Sequence, residues 1–213
     1  CDIDSTTHPI EVKRKVGYLP EDVGFYEDMT GIENLVYTAA LNGIRRKEAR
    51  AKAERLLDRI GLVKEADKKA GKYSKGMRQR LGLADVLIKS PEVIILDEPT
   101  AGLDPNSKHQ VMSLIKKIQI EENKTIILVS HDMDDVARYS DEVVVMNKGT
   151  IVEKSNPRNL FNQKTQLLKW HIELPKVVKL QKDIEKKYNM LFPKLAMNEE
   201  EFVKLYKEWH HEE

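Results

Sequence analysis

A single cysteine, at position 1, leaves this 213-residue chain without the means to form a disulfide framework. Charge of one sign is lacking too. Lys and Arg number 36 against 35 Asp and Glu, a net charge of +1 in a chain that is 33% charged. That balance argues against a nucleic-acid partner held by bulk electrostatics. No apolar run reaches the roughly 20 residues that a bilayer-crossing helix needs. With no secretory leader at its start, the chain is expected to be soluble and to sit in a reducing cytoplasm. It opens on Cys1 rather than methionine, and a truncated or processed start is expected. The length suits one good-sized domain, or a domain with an appendage.

What is present is concentrated between Tyr73 and Asp104, YSKGMRQRLGLADVLIKSPEVIILDEPTAGLD. A polar loop leads into an amphipathic helix, a short apolar strand and two adjacent carboxylates. Val93, Ile94, Ile95 and Leu96 form an unbroken apolar run, predicting a strand buried on both faces of a parallel sheet. Asp97 and Glu98 close it, at the C-terminal edge where open α/β sheets place their ligands, and Pro99 ends the strand. Such a pair suits a hard cation on one carboxylate and a water proton on the other. A charged strand end facing solvent would read the same way.

Upstream, Val16–Leu19 reads as a strand closed by Pro20, with Glu21–Gly24 as a loop. Thr30 and Glu33 form a capping box for a helix carrying Leu35, Val36 and Ala39 on one face and ending near Asn42-Gly43. A second helix from about Lys47 turns Ala49, Ala53, Leu56, Leu57 and Ile60 inward and stops at Gly61. Lys64–Lys72 is predicted to be a surface connection. Ser74 caps the next helix, which buries Leu81, Ala84, Val86 and Leu87. Asp104 and Pro105 begin another, with Val111, Leu114, Ile115 and Ile118 as its stripe. Thr125–Ser130 is predicted as a second buried strand of the same sheet, with His131-Asp132 at its end. A short helix (Asp132–Tyr139) and a hairpin (Glu142–Asn147 with Thr150–Glu153) follow. The remainder reads as helices: Pro157–Phe161, a segment at Leu167-Leu168, Pro175–Tyr188 with Val177, Leu180 and Ile184 on one face, and a last one capped by Asn198 and Glu201.

The Ser74-Lys75-Gly76 turn, its helix, the strand, Glu98-Pro99-Thr100 and Ala101–Asp104 together resemble the ATP-binding subunits of ABC transporters. The resemblance implies an α/β fold: a partial P-loop NTPase-like ABC ATPase core with a helical subdomain and a C-terminal helical extension. It divides the chain into 1–29 (partial core with the glutamine loop), 30–72 (helical subdomain), 73–154 (signature, catalytic strand, D-loop and switch histidine) and 155–213 (helical extension). It implies ATP and Mg²⁺ as ligands, with Asp97 on the metal, Glu98 as the base for the attacking water, and His131 on the γ-phosphate. Ser74, Lys75 and Gly76, in place of the usual LSGGQ, would bind the γ-phosphate of ATP held by the opposite subunit. Asp104 would link the two sites across the dimer, a role compatible with plain helix capping. Glu21 stands where the family usually has glutamine, touching metal and water; a carboxylate can ligate Mg²⁺ but donates no amide hydrogen bond.

The implied partners are a second ABC ATPase subunit, identical or not, and an integral membrane transporter subunit, with no nucleic acid. The implied location is the cytoplasmic face of the membrane. From about Asn106, through SHDMDDVARYSDEVVVMNKG to LYKEW, the chain resembles ATPases of energy-coupling-factor vitamin importers; its first hundred residues, with YLPE and YSKGM, resemble another ABC branch. A junction around Glu98–Pro105 is therefore expected, in a divergent natural protein, an engineered chimera or an assembly artefact. The 213 residues contain no GxxxxGK[ST] phosphate loop. In the nearest match, Gly71–Gly76, Met77 and Arg78 stand where Lys and Ser/Thr are required. The chain alone is therefore expected to be inactive, although its resemblance is to an ATPase. The alternatives are a remnant that only pairs with other subunits, an exporter-type ATPase, or a soluble ABC ATPase acting on nucleic acid or protein complexes. The last usually carries coiled-coil insertions or tandem cassettes, and neither is visible.

Overall fold

Strand-forming runs far apart in the sequence meet in a three-stranded parallel sheet. The computed structural model describes residues 3–211, apart from the side chains of residues 164 and 211. It separates into two units, Cys1–Val129 and Ser130–Glu213. The division falls inside the 73–154 segment.

In the first unit, α1 (Pro9–Lys15) leads directly into β1 (Val16–Leu19), then come α2 (Gly31–Leu41), α3 (Arg46–Arg59), α4 (Lys75–Leu87), β2 (Val93–Asp97), α5 (Pro105–Glu122) and β3 (Thr125–Val129). β2 lies between β1 and β3, parallel to both, with Gly17 opposite Ile94 and Ile94 opposite Ile126. The caps are those that the sequence specifies. Thr30 accepts from the Glu33 amide while Glu33 reaches back to the Thr30 amide, and Ser74 accepts from the Met77 amide. The helical pair is closed by apolar side chains: Leu35, Ala39, Ala49, Ala53, Leu57 and Ile60 are all buried. The connection to α4 is largely exposed, as expected, but Ala70 is buried in it and Tyr73 closes it. The Tyr73 hydroxyl donates to the Glu65 carbonyl at 2.6 Å, and burial pushes its pKa up to about 12.

Burial of the central strand on both faces is not observed. Ile94 and Leu96 are enclosed while Val93, Ile95 and Asp97 are half-buried. In β3 no residue is fully buried. The register aligns Tyr18, Ile95 and Ile127 in one row, and Tyr18 and Ile127 are 54% and 48% exposed. This is the alternation of a sheet covered on one side: α4 packs Val86 against Gly17 and its Gly82 against Leu19.

The second unit holds α6 (Met133–Tyr139), the antiparallel hairpin β4 (Val143–Asn147) and β5 (Thr150–Ser155), then α7 (Pro157–Asn162), α8 (Lys164–Lys169), α9 (Lys176–Tyr188) and α10 (Glu199–His211). Its own core gathers Val136, Val145, Leu160, Phe161, Leu167, Val178, Phe192 and Leu205, with Phe202, Tyr206 and Trp209 packed against it. The expected face of α9 needs correction. Leu180 is 49% exposed, and Gln181, fully enclosed, takes the inward position. Its amide is satisfied there: Nε2 donates to the Lys194 carbonyl and Oε1 accepts from the Ala196 amide, so the passing chain makes a polar core residue tolerable.

Candidate functional site

The C-terminal end of β2 delivers Asp97 and Glu98. Asp97 pairs in register with Val129, and the Glu98 amide donates to the Val129 carbonyl at 2.9 Å. Directly after the strand the backbone turns sharply: Glu98 has φ +44°, a left-handed conformation that a side chain adopts at a cost. The Glu98 carbonyl then accepts from the Ala101 amide at 3.0 Å, closing a tight turn on the way to Asp104. A non-glycine residue held this way beside a second carboxylate has the character of a functional site, where strain is retained for placement.

One neighbour of this pair is not evident from the sequence. The Tyr18 hydroxyl donates to Asp97 Oδ2 at 3.0 Å, and that bond to a carboxylate holds the phenol pKa above its ordinary 10.0. The alternation of β1 places Tyr18 on the face opposite Leu19, but only the inter-strand register identifies its partner.

The Ser74-Lys75-Gly76 turn meets the loop after Glu98. Gly76 lies against α5, where a Cβ would stand 3.1 Å from the Ser107 side chain. Gly102 has φ +64°, and a Cβ there would come 2.8 Å from the Lys75 ammonium. At Gly102 the left-handed backbone favours glycine, since the Lys75 ammonium could swing aside; at Gly76 the Ser107 side chain would have to yield by a few tenths of an ångström. Asp104 caps α5, accepting from the Asn106 and Ser107 amides at 3.1 and 3.0 Å. The Ser107 hydrogen bonds hold its pKa below the ordinary carboxylate value. Ser74, Lys75, Gly76 and Asp104 are thus brought to one edge, with an exposed ammonium beside a helix N-terminus, an arrangement suited to an anion.

Glu21 follows β1 with its side chain exposed; its carbonyl accepts from Gln79 Nε2 of α4 at 2.8 Å. Sequence reading passes over Gln79, since one glutamine on an amphipathic helix carries no signal. His131 lies at the start of the second unit, between Ser130 and Asp132; the Asp132 amide donates to the Ser130 hydroxyl at 3.1 Å. Asp132 in turn caps α6. Among the described residues no group of three or more His, Cys, Asp or Glu is placed to hold a metal. Mg²⁺ needs no such cage: it takes one or two carboxylates and completes its shell with water and phosphate oxygens. Asp97, with Oδ1 outside the Tyr18 bond, fits that donor set. Among the described residues no helix is long and apolar enough to cross a membrane.

Residues 2–101 match the ABC transporter family, a stretch that includes Ser74–Gly76, Asp97 and Glu98. The energy-coupling factor transporter ATP-binding protein EcfA2 of Staphylococcus epidermidis is 78% identical over 168 residues, covering 78% of this chain and 59% of that protein. The EcfA2 of Staphylococcus aureus is 48% identical over 166 residues, covering 78% of this chain and 58% of that one. This chain therefore spans less than two thirds of the length of these relatives. The solved structure of cbiO1 from Clostridium perfringens, described as part of the ABC transporter complex cbiONQ, superposes with a TM-score of 0.67 at 31% identity, over 81% of this chain and 69% of that one. With the parallel sheet, the carboxylate pair at its edge and the closely packed Ser74–Gly76 turn beside it, these likenesses establish that the chain belongs to the ABC transporter ATPase family.

Proposed function

We propose that the chain is the ATP-hydrolysing part of a subunit that energises an ABC transporter of the energy-coupling-factor type, in uptake of a vitamin or other micronutrient. The observation that carries this reading is the edge at Asp97–Glu98, with the strained Glu98 backbone and the Ser74–Gly76 turn close to Gly102. Mg²⁺ in such a site neutralises charge on the phosphates. Asp97, fixed by the Tyr18 hydroxyl, would hold the cation, and Glu21 would be a further metal contact. Glu98 takes the proton of the attacking water, and His131 bonds the γ-phosphate. Ser74, Lys75 and Gly76 act in trans on nucleotide held by a second ATPase subunit, identical or not, and Asp104 ties the two sites together. A membrane subunit docks near the Glu21 loop, which places the chain on the cytoplasmic face of the membrane. Residues 155–213 support pairing between ATPase subunits.

The 213 residues lack a GxxxxGK[ST] loop, so by themselves they provide neither its backbone amides nor its lysine, and phosphoryl transfer rests on that positioning. A polypeptide of this sequence is expected to show no saturable Mg²⁺-ATP binding and no phosphate release. With a family phosphate loop joined ahead of Cys1, turnover is expected. Glu98→Gln then lowers it by about 10²–10⁴-fold while nucleotide binding persists. Turnover at the parental rate in that variant overturns the assignment of the base; tight binding by the unextended chain overturns its inactivity.

The second reading, a module that pairs with other subunits without catalysis, draws on the same missing loop. It expects no turnover in the extended chain either. The contrast between the YLPE/YSKGM half and the half after Asn106 supports a junction at Glu98–Pro105. Amplifying that stretch in one piece from the source genome tests it, and an uninterrupted native product removes the idea of a chimera.

A further inference from the structure

Gln79 lies on α4 and is 2% exposed. Its Nε2 donates to the carbonyl of Glu21 at 2.8 Å, and its Oε1 is enclosed with no hydrogen-bond partner. A leucine or methionine of similar volume would fill this place without an orphaned oxygen, and an unpaired buried acceptor is costly. The amide is therefore best explained by the bond it makes. That bond ends on an element with special duties. Pro20 closes β1, and Glu21 begins the loop with its side chain exposed and its carbonyl pinned. At the other end, Gln79 stands little more than one helical turn along the rigid rod that Ser74, Lys75 and Gly76 begin.

We infer that Gln79 is a positioning residue that locks the Glu21 peptide to the start of α4, so that the Glu21 loop and the Ser74–Gly76 turn move as one body. The functional consequence rests on the reading proposed above: a displacement imposed on the Glu21 loop by a membrane partner passes through Gln79 to the turn that faces the other subunit's nucleotide. The Glu21 carboxylate stays free to engage its own ligands because only its carbonyl is used. Neither Ser74 nor Glu21 needs to touch the other for the two to be linked.

Hydrogen exchange on the whole 213-residue chain tests the link without nucleotide. Gln79→Met, which keeps volume and loses the donor, is expected to speed exchange of amides 21–26 by about tenfold, with α2 and α3 changed by less than about twofold. Gln79→Lys, which restores a donor on a flexible stem, is expected to recover part of that protection. The decisive measurement is a cycle with Ser74→Ala. Loosening the first turn of α4 is expected to speed exchange at 21–26 in the parent and to leave it unchanged in the Gln79→Met background. A purely packing role predicts equal, additive losses across residues 3–129. That outcome overturns the inference, as does unaltered protection of 21–26 in Gln79→Met, or a Ser74→Ala effect that survives undiminished in Gln79→Met. Because no arm uses ATP, a chain that proves unable to hydrolyse it leaves these exchange rates as they are, and the two readings fail separately.

Discussion

The hydroxyl of Tyr18 donates to Asp97 Oδ2 across 3.0 Å, joining two residues 79 positions apart in the sequence. The parallel register makes it possible. Tyr18 stands opposite Ile95, so Asp97 is its diagonal neighbour on the same face, within reach of a long aromatic side chain. The bond fixes one oxygen of the carboxylate proposed to hold Mg²⁺ and leaves the other for the cation.

That bond has a spectroscopic signature. Ionising the Tyr18 phenol would remove a hydrogen bond to Asp97 and set two negative charges together, so Tyr18 titrates above the ordinary 10.0. Subtracting the ultraviolet pH titration of Tyr18→Phe from that of the parent isolates this one phenol. Its midpoint is expected to fall toward the ordinary value in Asp97→Ala. A Tyr18 midpoint indifferent to Asp97 would show that the pair does not form in solution.

Glu98 is expected to trade stability for placement. Its φ of +44° is a conformation that disfavours a side chain by about 1–2 kcal/mol and that glycine adopts freely. Glu98→Gly is expected to raise unfolding stability by about 1 kcal/mol. In a chain completed with a phosphate loop, it should abolish hydrolysis. Denaturant unfolding measures the first effect and phosphate release the second. A destabilised Glu98→Gly would mean that the turn is held by side-chain contacts rather than against a backbone preference.

Asn34 carries the loop between Glu21 and α2. It is 3% exposed, accepts from the Tyr26 amide at 3.0 Å, and donates to the Tyr26 and Thr30 carbonyls at 3.1 and 3.0 Å. Asn34→Ala strands the Tyr26 amide, while the Tyr26 and Thr30 carbonyls keep the amides of Met29 and residue 34, and it is expected to cost about 1–3 kcal/mol. The loss should also speed hydrogen exchange at residues 24–30. Asn34→Asp accepts but cannot donate, and is expected to recover only the Tyr26 amide bond. Wild-type stability in Asn34→Ala would mean that water replaces the side chain at the Tyr26 amide.

What the sequence discloses here is local, and what it hides is long-range. The Thr30–Glu33 box, the Ser74 and Asp104 caps and the Asn198 cap are each written within a few residues, and each forms as read. The stripes of α3 and α4 follow from helical spacing in the same way. The helix α1 escapes notice because none of its residues is buried, so no stripe marks it. On α9 the stripe drawn through Leu180 fails because Gln181, polar by composition, is satisfied by chain that arrives from Lys194–Ala196. At the candidate site, Asp97, Glu98, Ser74 and Gly76 announce themselves by motif. Tyr18 and Gln79 matter through bonds to Asp97 and to a backbone carbonyl 58 residues away, and no local pattern encodes either. The one-sided cover of the sheet was equally hidden, since an apolar run such as Val93–Leu96 reads the same whether one face is covered or two.

The last prediction concerns Asp85, on the face of α4 turned toward α2. Its Oδ1 is enclosed without a partner. Burial raises its pKa from the ordinary 3.8, and the Thr38 hydroxyl and the Lys89 charge only partly oppose that rise. A carboxyl that holds its proton more tightly folded than unfolded favours the folded state at low pH. The stability it contributes is complete below the ordinary 3.8 and is lost as pH rises through the higher folded value. Above that window the charged form is left in a poorly solvated place, with Lys89 as partial compensation. Asp85→Asn cannot ionise, keeps a similar shape, and retains an acceptor for the Thr38 hydroxyl. Thermal unfolding followed from about pH 3 to pH 8 is therefore expected to show Asp85→Asn more stable than the parent near neutrality, with the two curves converging as pH falls. Curves that stay parallel through the acidic range would show that Asp85 ionises as easily in the folded chain as in the unfolded one. A variant less stable than the parent at neutral pH would show that the Lys89 charge outweighs the cost of burial.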